Sequence, residues 1–173
     1  MIKCNPYTIN NKTYQITDFT VLTNKDLLDI LHMRNDERVR FFMANTEPIR
    51  ESDHFKFVND LKERNDKSYF LVSEKDMGSI GVIYFDKIIN DTAYLGIYSN
   101  PDSPLKKKGT ILMNALFFTA YNDLSIRTLY LEVRESNITA IGLYQKFHFN
   151  KVEISNGFIV MKKDLTKDMF DEK

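Results

Sequence analysis

Cysteine, excess charge and long apolar runs are all scarce in this sequence. Cys4 is the only cysteine among 173 residues, so no disulfide can form within the chain. The segment from Met1 to Asn11 is polar and lacks the apolar stretch of a signal peptide. No run approaches the roughly 18 apolar residues that a membrane-spanning helix needs. We therefore expect a cytoplasmic protein with no membrane partner.

The charges of the chain balance. Lys+Arg and Asp+Glu both number 24, which gives a formal net charge of zero. A general nucleic-acid binder normally carries a basic surplus, because neutralising phosphates supplies much of its affinity. Nucleic acid is therefore not an expected partner.

Motifs typical of several other enzyme classes are missing. The histidines, His32, His54 and His148, are far apart and show no metal-ligand spacing with cysteine or carboxylates. We therefore expect no metal. The sequence also lacks a Gly-x-Ser-x-Gly elbow and a Walker-type loop, so serine hydrolase and nucleoside triphosphatase activities have no support.

Helical periodicity is present in four places. The apolar share, 43%, is enough for one core, and the length suits a single domain spanning 1–173. Thr23 or Asn24 can cap the first helix. The stretches with a 3.6-residue apolar period are 24–34, a segment after Pro48, one opening near Gly109 and one beginning near Asn137.

Strand signals lie between and around these helices. One strand is expected before the first helix, and Lys75 to Gly78 and Asn156-Gly157 read as hairpin turns. The order of elements predicts an α+β fold with a mixed sheet and a loose end after Lys163. The other strand candidates are 68–74, 79–86, 93–98, 129–134 and, more weakly, 147–154 and 157–163.

The first segment that could carry chemistry runs from Leu95 to Leu116. A predicted strand ends near Pro101, and Lys106-Lys107-Lys108-Gly109-Thr110 then leads into an apolar helix. The free N–H groups of a helix N-terminus hold phosphates well, and glycine lets the backbone approach them closely. A solvated basic turn would give the same pattern, so spacing alone leaves both interpretations open.

The second such segment follows the strand that ends at Arg134. Asn137 and Tyr144 are seven residues apart, which is two helical turns, so both can face the same groove. An ordinary helix-capping asparagine and a half-buried tyrosine would fit the spacing equally well.

Together these segments resemble the core of the Gcn5-related N-acetyltransferase (GNAT) superfamily, over roughly Tyr69 to Val152. The shared pattern is a strand, a glycine-bearing loop that opens a helix, another strand and an Asn-x-x-Ala-x-x-x-Tyr helix. The resemblance implies a central mixed, mostly antiparallel twisted sheet of about seven strands flanked by about four helices. It also implies an N-acetyltransferase that uses acetyl-CoA.

The resemblance assigns roles to matched residues. Tyr144 would protonate the departing CoA thiolate, since a phenol with a reference pKa of about 10 stays protonated and a thiolate with a conjugate pKa of about 8.5 must be quenched. Asn137 would contact polar groups of the cofactor, and Ile97 and Tyr98 would line it. The loop amides that would grip the CoA pyrophosphate belong to Leu105, Lys106, Lys107, Lys108, Gly109 and Thr110.

Three positions depart from the family pattern. The usual phosphate loop reads Gln/Arg-x-x-Gly-x-Gly/Ala, but here Pro104 takes the leading position and Lys107 takes the first glycine position. Gly109 is retained. The usual Gly-Phe after the tyrosine is His148-Phe149.

The N-terminal half indicates which class of acceptor the enzyme would use. The segment from His32 to Met43 resembles one shared by ribosomal-type protein N-terminal acetyltransferases and by the nucleotide-sugar N-acetyltransferases of pseudaminic acid synthesis. Stretches around 54–58, 94–101 and 131–146 look closer to the second branch. This implies acetylation of the 4-amino group of a UDP-4-amino-4,6-dideoxy-N-acetyl-altrosamine, for flagellin glycosylation. The residues that would face the nucleotide sugar are Arg34, His54, Lys87 and Tyr98.

Several alternatives stay open. Glu132 could accept the amine proton, directly or through water, but a strand carboxylate paired with Arg134 would look the same. Arg34 could instead satisfy carbonyls at the end of a helix. A ribosomal-type N-terminal acetyltransferase or a non-catalytic acyl-CoA-binding domain would share much of the pattern. The chain is expected to be a monomer or a homodimer.

Overall fold

The computed structural model describes residues 4–9 and 12–169, which form one eight-stranded sheet with helices on both faces. The strands are β1 (Cys4–Ile9), β2 (Lys12–Asp18), β3 (Ser68–Glu74), β4 (Gly78–Ile89), β5 (Thr92–Ser99), β6 (Thr128–Arg134), β7 (Asn150–Ser155) and β8 (Phe158–Asp164). The helices are α1 (Asn24–Asn35), α2 (Glu37–Arg40), α3 (Glu51–Asp60), α4 (Lys108–Phe118) and α5 (Ile138–Lys146).

The sheet is mixed and mostly antiparallel, as the sequence predicts. Its strand order is β1-β2-β3-β4-β5-β6-β8-β7, and within the described sheet only β5 and β6 run parallel. The sheet has eight strands instead of seven because the N-terminal segment folds into a hairpin of β1 and β2. The short helix α2 is an addition too, since four residues are too few to show a helical period.

The two faces of the sheet build two cores. On one face Phe70, Ile83 and Phe85 pack with the buried side chains of α4. On the other face Leu71 and Val82 pack with buried residues of α1 and α3. Successive residues of a strand point to opposite faces, so this alternation decides which side chains reach either layer.

Local signals take the conformations predicted for them. Thr23 caps α1 and forms a reciprocal capping box with Asp26. Asn156 and Gly157 both have left-handed φ values, 53° and 78°, which suit a tight hairpin between β7 and β8. Both predictions are confirmed.

The end of the chain differs from expectation. The prediction of a loose end directly after Lys163 is wrong, because Leu165 is 4% exposed and its N–H donates to the Arg127 carbonyl at 2.7 Å. Burying this leucine anchors the segment after β8.

Neither a membrane span nor a metal cluster occurs in the described part of the chain. No helix in residues 4–9 and 12–169 is long and apolar enough to cross a membrane. The same residues contain no group of three or more His, Cys, Asp or Glu side chains arranged to hold a metal ion.

Candidate active site

A cleft opens where β5 and β6 separate. Their ladder covers only Thr92–Tyr94 against Thr128–Tyr130, and each strand then continues alone toward Ser99 and Arg134. Their outer edges pair with β4 and β8, so the facing inner edges beyond Tyr94 and Tyr130 carry no ladder. Unpaired strand edges of this kind offer backbone donors and acceptors to an extended ligand with amide groups.

The loop before α4 presents backbone N–H groups at one end of this cleft. The helix begins at Lys108, and its first backbone bond joins Ile111 N–H to the Lys107 carbonyl at 3.2 Å. The N–H groups of Lys108, Gly109 and Thr110 therefore precede the helical ladder and point out of its end. This is the geometry of an anion site at a helix N-terminus.

The lysines of the loop are placed differently from one another. Lys108 Nζ donates to the carbonyls of Asn100 and Ser103 at 2.6 and 2.9 Å, so its side chain holds the loop closed. Lys106 and Lys107 are exposed, while Leu105 packs against the main core. The positive charge available to a bound anion thus comes from Lys106, Lys107 and the helix end.

Gly109 serves packing between the two helices beside the cleft. A Cβ at this position would lie 2.9 Å from Leu143 Cδ2, so glycine lets α4 approach α5 closely. Thr110 follows in the first helical turn and is half-buried.

Two of the three departures from the family pattern, Lys107 and His148, fall on left-handed backbone. Lys107 has φ 59° and ψ 30° at the position before α4, and His148 has φ 61° after α5. Family glycines at these positions would meet a conformational need that Lys107 and His148 also meet, at a cost of about 1–2 kcal/mol each. The hydrogen bonds from His148 N to Gln145 O and from Phe149 N to Tyr144 O complete a Schellman motif.

His148→Gly is expected to raise the unfolding free energy by up to about 1 kcal/mol, because glycine adopts the left-handed conformation without strain. Urea unfolding measures this change. Gln145→Gly, at an exposed position in the last turn of the same helix, is the matched control and should lose up to about 1 kcal/mol. A loss in both variants would contradict the assignment of strain to His148.

Tyr144 lies on α5, the helix that follows β6, and Asn137 is the residue directly before that helix. Asn137 Oδ1 accepts the Ala140 N–H at 3.2 Å and so caps the helix. Tyr144 is 7% exposed and its ring packs edge-on against Phe149. Its hydroxyl makes no hydrogen bond to the described residues. Burial, and secondarily the nearby Tyr84, raise the pKa of Tyr144, so its phenol stays protonated.

A cluster of tyrosines on the opposite face of the sheet is the part of the site that sequence reasoning missed. The rings of Tyr69 and Tyr84 stack 4.8 Å apart, and Tyr69 donates to the Asp86 carboxylate at 3.2 Å. Tyr84 lies directly over Gly96, where a Cβ would be 1.9 Å from Tyr84 Cζ. Burial raises the pKa of Tyr84 to about 12, with Asp86 adding to the effect.

Arg34 joins this cluster. It is 9% exposed, its Nη2 donates to the Asn45 carbonyl at 2.9 Å, and its Nη1 is buried with no partner among the described residues. The Arg34 charge acts on the pKa values of both Tyr84 and Tyr98, lowering them against the larger effect of burial. An unpaired buried guanidinium nitrogen costs about 1–3 kcal/mol, which a ligand oxygen would relieve.

The Arg34-Asn35 pair also holds the segment that follows α2. Asn35 Nδ2 donates to the Ile49 carbonyl and Asn35 Oδ1 accepts the Ile49 N–H, both at 2.8 Å. Residues 43–49 are here called the lid segment. They are tied to α1 through these bonds and through the bond from Arg34 to Asn45.

The other predicted acceptor residues are less closely grouped. His54 is 5% exposed, and its Nε2–H donates to the Leu27 carbonyl at 2.9 Å, which joins α3 to α1. Burial lowers the pKa of His54, so the ring is neutral near pH 7. Lys87 is exposed, and its Nζ lies 4.4 Å from the Tyr94 ring centre.

Glu132 and Ile97 lie on the strands that border the cleft. Glu132 is exposed on the face of β6 opposite the buried Leu131 and Val133, and no described side chain pairs with it. Ile97 of β5 packs toward the core beside α4, while its neighbour Tyr98 points to the face of Tyr84.

A mixed sheet whose two parallel strands separate beside a helix N-terminus, with a buried tyrosine on the next helix, is the arrangement of an acetyltransferase of the GNAT fold. Residues 29–149 match the acetyltransferase (GNAT) family, and the chain belongs to that family.

Named relatives refine the comparison. Acetyltransferase PseH of Campylobacter jejuni subsp. jejuni (strain 81-176) is 35% identical over 135 residues, covering 78% of this chain and 83% of that protein. The crystal structure of Campylobacter jejuni N-acetyltransferase PseH in complex with acetyl coenzyme A matches with a TM-score of 0.73 and 29% identity, covering 88% of this chain and 99% of that one. An N-alpha-acetyltransferase of Saccharolobus solfataricus is 42% identical over only 55 residues, or 31% of this chain and 33% of that protein.

Proposed function

We propose that this acetyltransferase moves the acetyl group of acetyl-CoA to the 4-amino group of a UDP-4-amino-4,6-dideoxy-N-acetyl-altrosamine. The product would serve pseudaminic acid synthesis and flagellin glycosylation. The observation that carries the proposal is the similarity to PseH along most of both chains. A cytoplasmic location and a single domain spanning 1–173 belong to the same proposal.

The residues present fit acetyl-CoA. The free amides from Lys108 to Thr110 suit its pyrophosphate, with the exposed Lys106 and Lys107 adding charge. The unpaired edge of β5 near Ile97 and Tyr98 suits the amides of its pantetheine arm, and Asn137 stands at the start of α5 on the other side. When bound, acetyl-CoA supplies the acetyl thioester.

The chain's own side chains would manage the protons. Tyr144 keeps its proton across the working pH range and can donate it to the departing thiolate. Glu132, exposed on β6 and unpaired among the described residues, is the candidate to take the proton that the amine loses, directly or through water. An amine that enters neutral needs no such base.

The acceptor would lie on the face that carries Arg34, Tyr84 and Tyr98. Arg34 has a buried donor without a partner, which suits an oxygen of a nucleotide sugar. His54 supports this pocket by joining α3 to α1, and Lys87 on the Tyr94 ring supplies a cation farther along the strands.

A ribosomal-type protein N-terminal acetyltransferase is the second candidate. The local similarity to the N-alpha-acetyltransferase of Saccharolobus solfataricus favours it, although that similarity covers only 31% of this chain. It would use the same donor and Tyr144 but would accept a peptide N-terminus.

The test is free-thiol release from acetyl-CoA, with the UDP-4-amino sugar and N-terminal peptides offered side by side. We expect turnover on the sugar nucleotide alone. Turnover on peptides alone would replace the acceptor but keep the enzyme class. If the protein binds CoA but releases no thiol with either acceptor, a non-catalytic acyl-CoA-binding domain would be favoured.

Arg34→Ala is expected to raise the acceptor KM by about 10-fold or more, because a hydrogen bond to a charged group contributes about 1.5–3 kcal/mol. The KM for acetyl-CoA should stay unchanged. Arg127→Ala is the matched control, since Arg127 also donates to main-chain carbonyls but lies at the opposite end of β6 from the cleft opening. An unchanged acceptor KM in Arg34→Ala would remove Arg34 from the acceptor site.

A further inference from the structure

A second concave surface lies next to the acceptor pocket. It is a groove of about 500 Å³, here called the arginine groove, and none of the roles proposed above uses it. The residues that line it are Glu37, Arg40, Phe41, Thr46, Arg134 and Ser136.

The lid segment separates this groove from the pocket of Arg34. From the groove side, Arg134 Nη2 donates to the Met43 carbonyl at 3.1 Å and Arg40 Nη1 donates to the Thr46 carbonyl at 2.8 Å. From the pocket side, Arg34 Nη2 donates to the Asn45 carbonyl. The pocket and the groove therefore share one short wall, and a ligand longer than one sugar ring can occupy both.

The groove has a surplus of guanidinium donors. Glu37 is its only carboxylate, and it pairs with Arg40 at 3.1 Å from a side chain that is 87% exposed. An arginine has five N–H groups, and Arg134 Nε has no acceptor among the described residues. Two guanidinium groups across one groove suit the oxygens of a diphosphate.

Phe41 adds a flat apolar surface beside these cations. Its side chain is 66% exposed, and it meets Phe42 edge-on with ring centres 5.0 Å apart. A nucleobase can stack on such a ring, while Ser136 at the other side of the groove offers a hydroxyl.

We propose that the arginine groove binds the nucleoside diphosphate part of the acceptor. Arg40 and Arg134 hold the phosphates, and Phe41 stacks against the base. This inference rests on the proposed function for the presence of a nucleotide in the acceptor, but binding of UDP itself is measurable without turnover.

Calorimetric titration of UDP into protein saturated with CoA tests the groove, since CoA occupies the pyrophosphate loop. Arg134→Gln and Arg40→Gln are each expected to weaken UDP binding about 10-fold or more. Arg38→Gln is the matched control from the same short helix, because Arg38 pairs with Asp36 and Asp102 outside the groove. It should leave UDP binding unchanged.

The role of Phe41 has a separate readout. Phe41→Ala should weaken UDP about 5-fold or more but leave inorganic pyrophosphate unchanged, since stacking acts on the base alone. Ile89→Ala is its control, since Ile89 is also 66% exposed but lies on β4 and does not line the groove. The Phe41 side chain makes no hydrogen bond to the lid segment, whereas Arg40 and Arg134 do. Phe41→Ala therefore still tests the groove if the arginine variants fail to fold.

The outcomes separate the groove from the proposed acceptor. UDP that does not bind to CoA-saturated protein, or that binds equally to all groove variants, overturns the groove. Weakened UDP binding in these variants supports the groove even if the UDP-4-amino sugar is not acetylated, an outcome that overturns only the acceptor. Turnover of that sugar with an unchanged acceptor KM in the groove variants supports the proposed acceptor and overturns the groove.

Discussion

Tyr144→Phe is expected to lower kcat by about 10²-fold or more while leaving the KM for acetyl-CoA near its original value. In the proposed function this phenol donates the proton to the leaving thiolate. It is buried, carries no hydrogen bond to another described residue, and has a pKa raised by burial. Phenylalanine keeps the ring contact with Phe149, so the loss should fall on chemistry and not on folding. Thiol release and a thermal melt measure the two effects.

Tyr130→Phe is the matched control for this prediction. Tyr130 lies on β6 and stacks on Tyr94 at 5.4 Å, in the paired part of the two strands. Its variant should keep full kcat. A Tyr144→Phe enzyme with near-normal turnover would remove Tyr144 from the acid role and turn attention to Tyr84, the hydroxyl whose charge would act on Tyr144.

The pH profile gives an independent check on the same residue. A raised pKa means that Tyr144 loses its proton only above its usual value of about 10. An alkaline decline of kcat that begins well below pH 10 and disappears in Tyr144→Phe would contradict this assignment.

The elements with a clear apolar period along the sequence were predictable, and those that depend on the pairing of strands were not. The apolar repeats of α1, α3, α4 and α5 and the turn at Asn156-Gly157 are local signals, and the structure has all of them. The pairing of β1 with β2 was not predicted, because the sequence before Lys12 is polar and shows no regular apolar alternation.

The residues proposed for the acetyl donor were easier to predict from the sequence than those proposed for the acceptor. The loop at Lys106–Thr110 and the helix with Tyr144 are contiguous segments, so their pattern can be read along the chain. Tyr69 and Tyr84 meet only through the register of β3 with β4, and Tyr84 meets Gly96 through the register of β4 with β5. A glycine inside a buried strand, as at Gly96, is the signal that would have pointed to close approach.

The family pattern has glycine at two positions where this chain has another residue, and the backbone conformation there is still kept. Lys107 and His148 adopt the left-handed backbone that the family pattern meets with glycine. The pattern therefore describes a conformation, and another residue can satisfy it at a modest cost in stability. Sequence letters alone do not reveal that equivalence, because backbone angles are set by the hydrogen bonds around them, such as the Schellman pair after α5.

Gly96→Ala is expected to lower kcat/KM for the acceptor by about 10²-fold, although Gly96 has no side chain to bind anything. Its new Cβ would overlap Tyr84, lying 1.9 Å from Cζ and 2.2 Å from the hydroxyl oxygen. The Tyr84 ring cannot retreat, because Tyr69 stacks on it at 4.8 Å. The ring or the strand must therefore shift, and in the proposed function a displacement of about 1 Å beside the acceptor costs on the order of 10²-fold.

Two variants separate this steric effect from a general loss of stability. Gly142→Ala adds the same methyl group on α5, where no atom lies within 4 Å, and should raise stability by about 1 kcal/mol with activity unchanged. In a Tyr84→Ala background the overlapped ring is absent, so Gly96→Ala should cost almost no further unfolding free energy there, against about 1–3 kcal/mol in the parent protein. If Gly96→Ala alone keeps normal acceptor kinetics, then Tyr84 does not border the acceptor, and the pocket must be rebuilt around Arg34 and Tyr98 only.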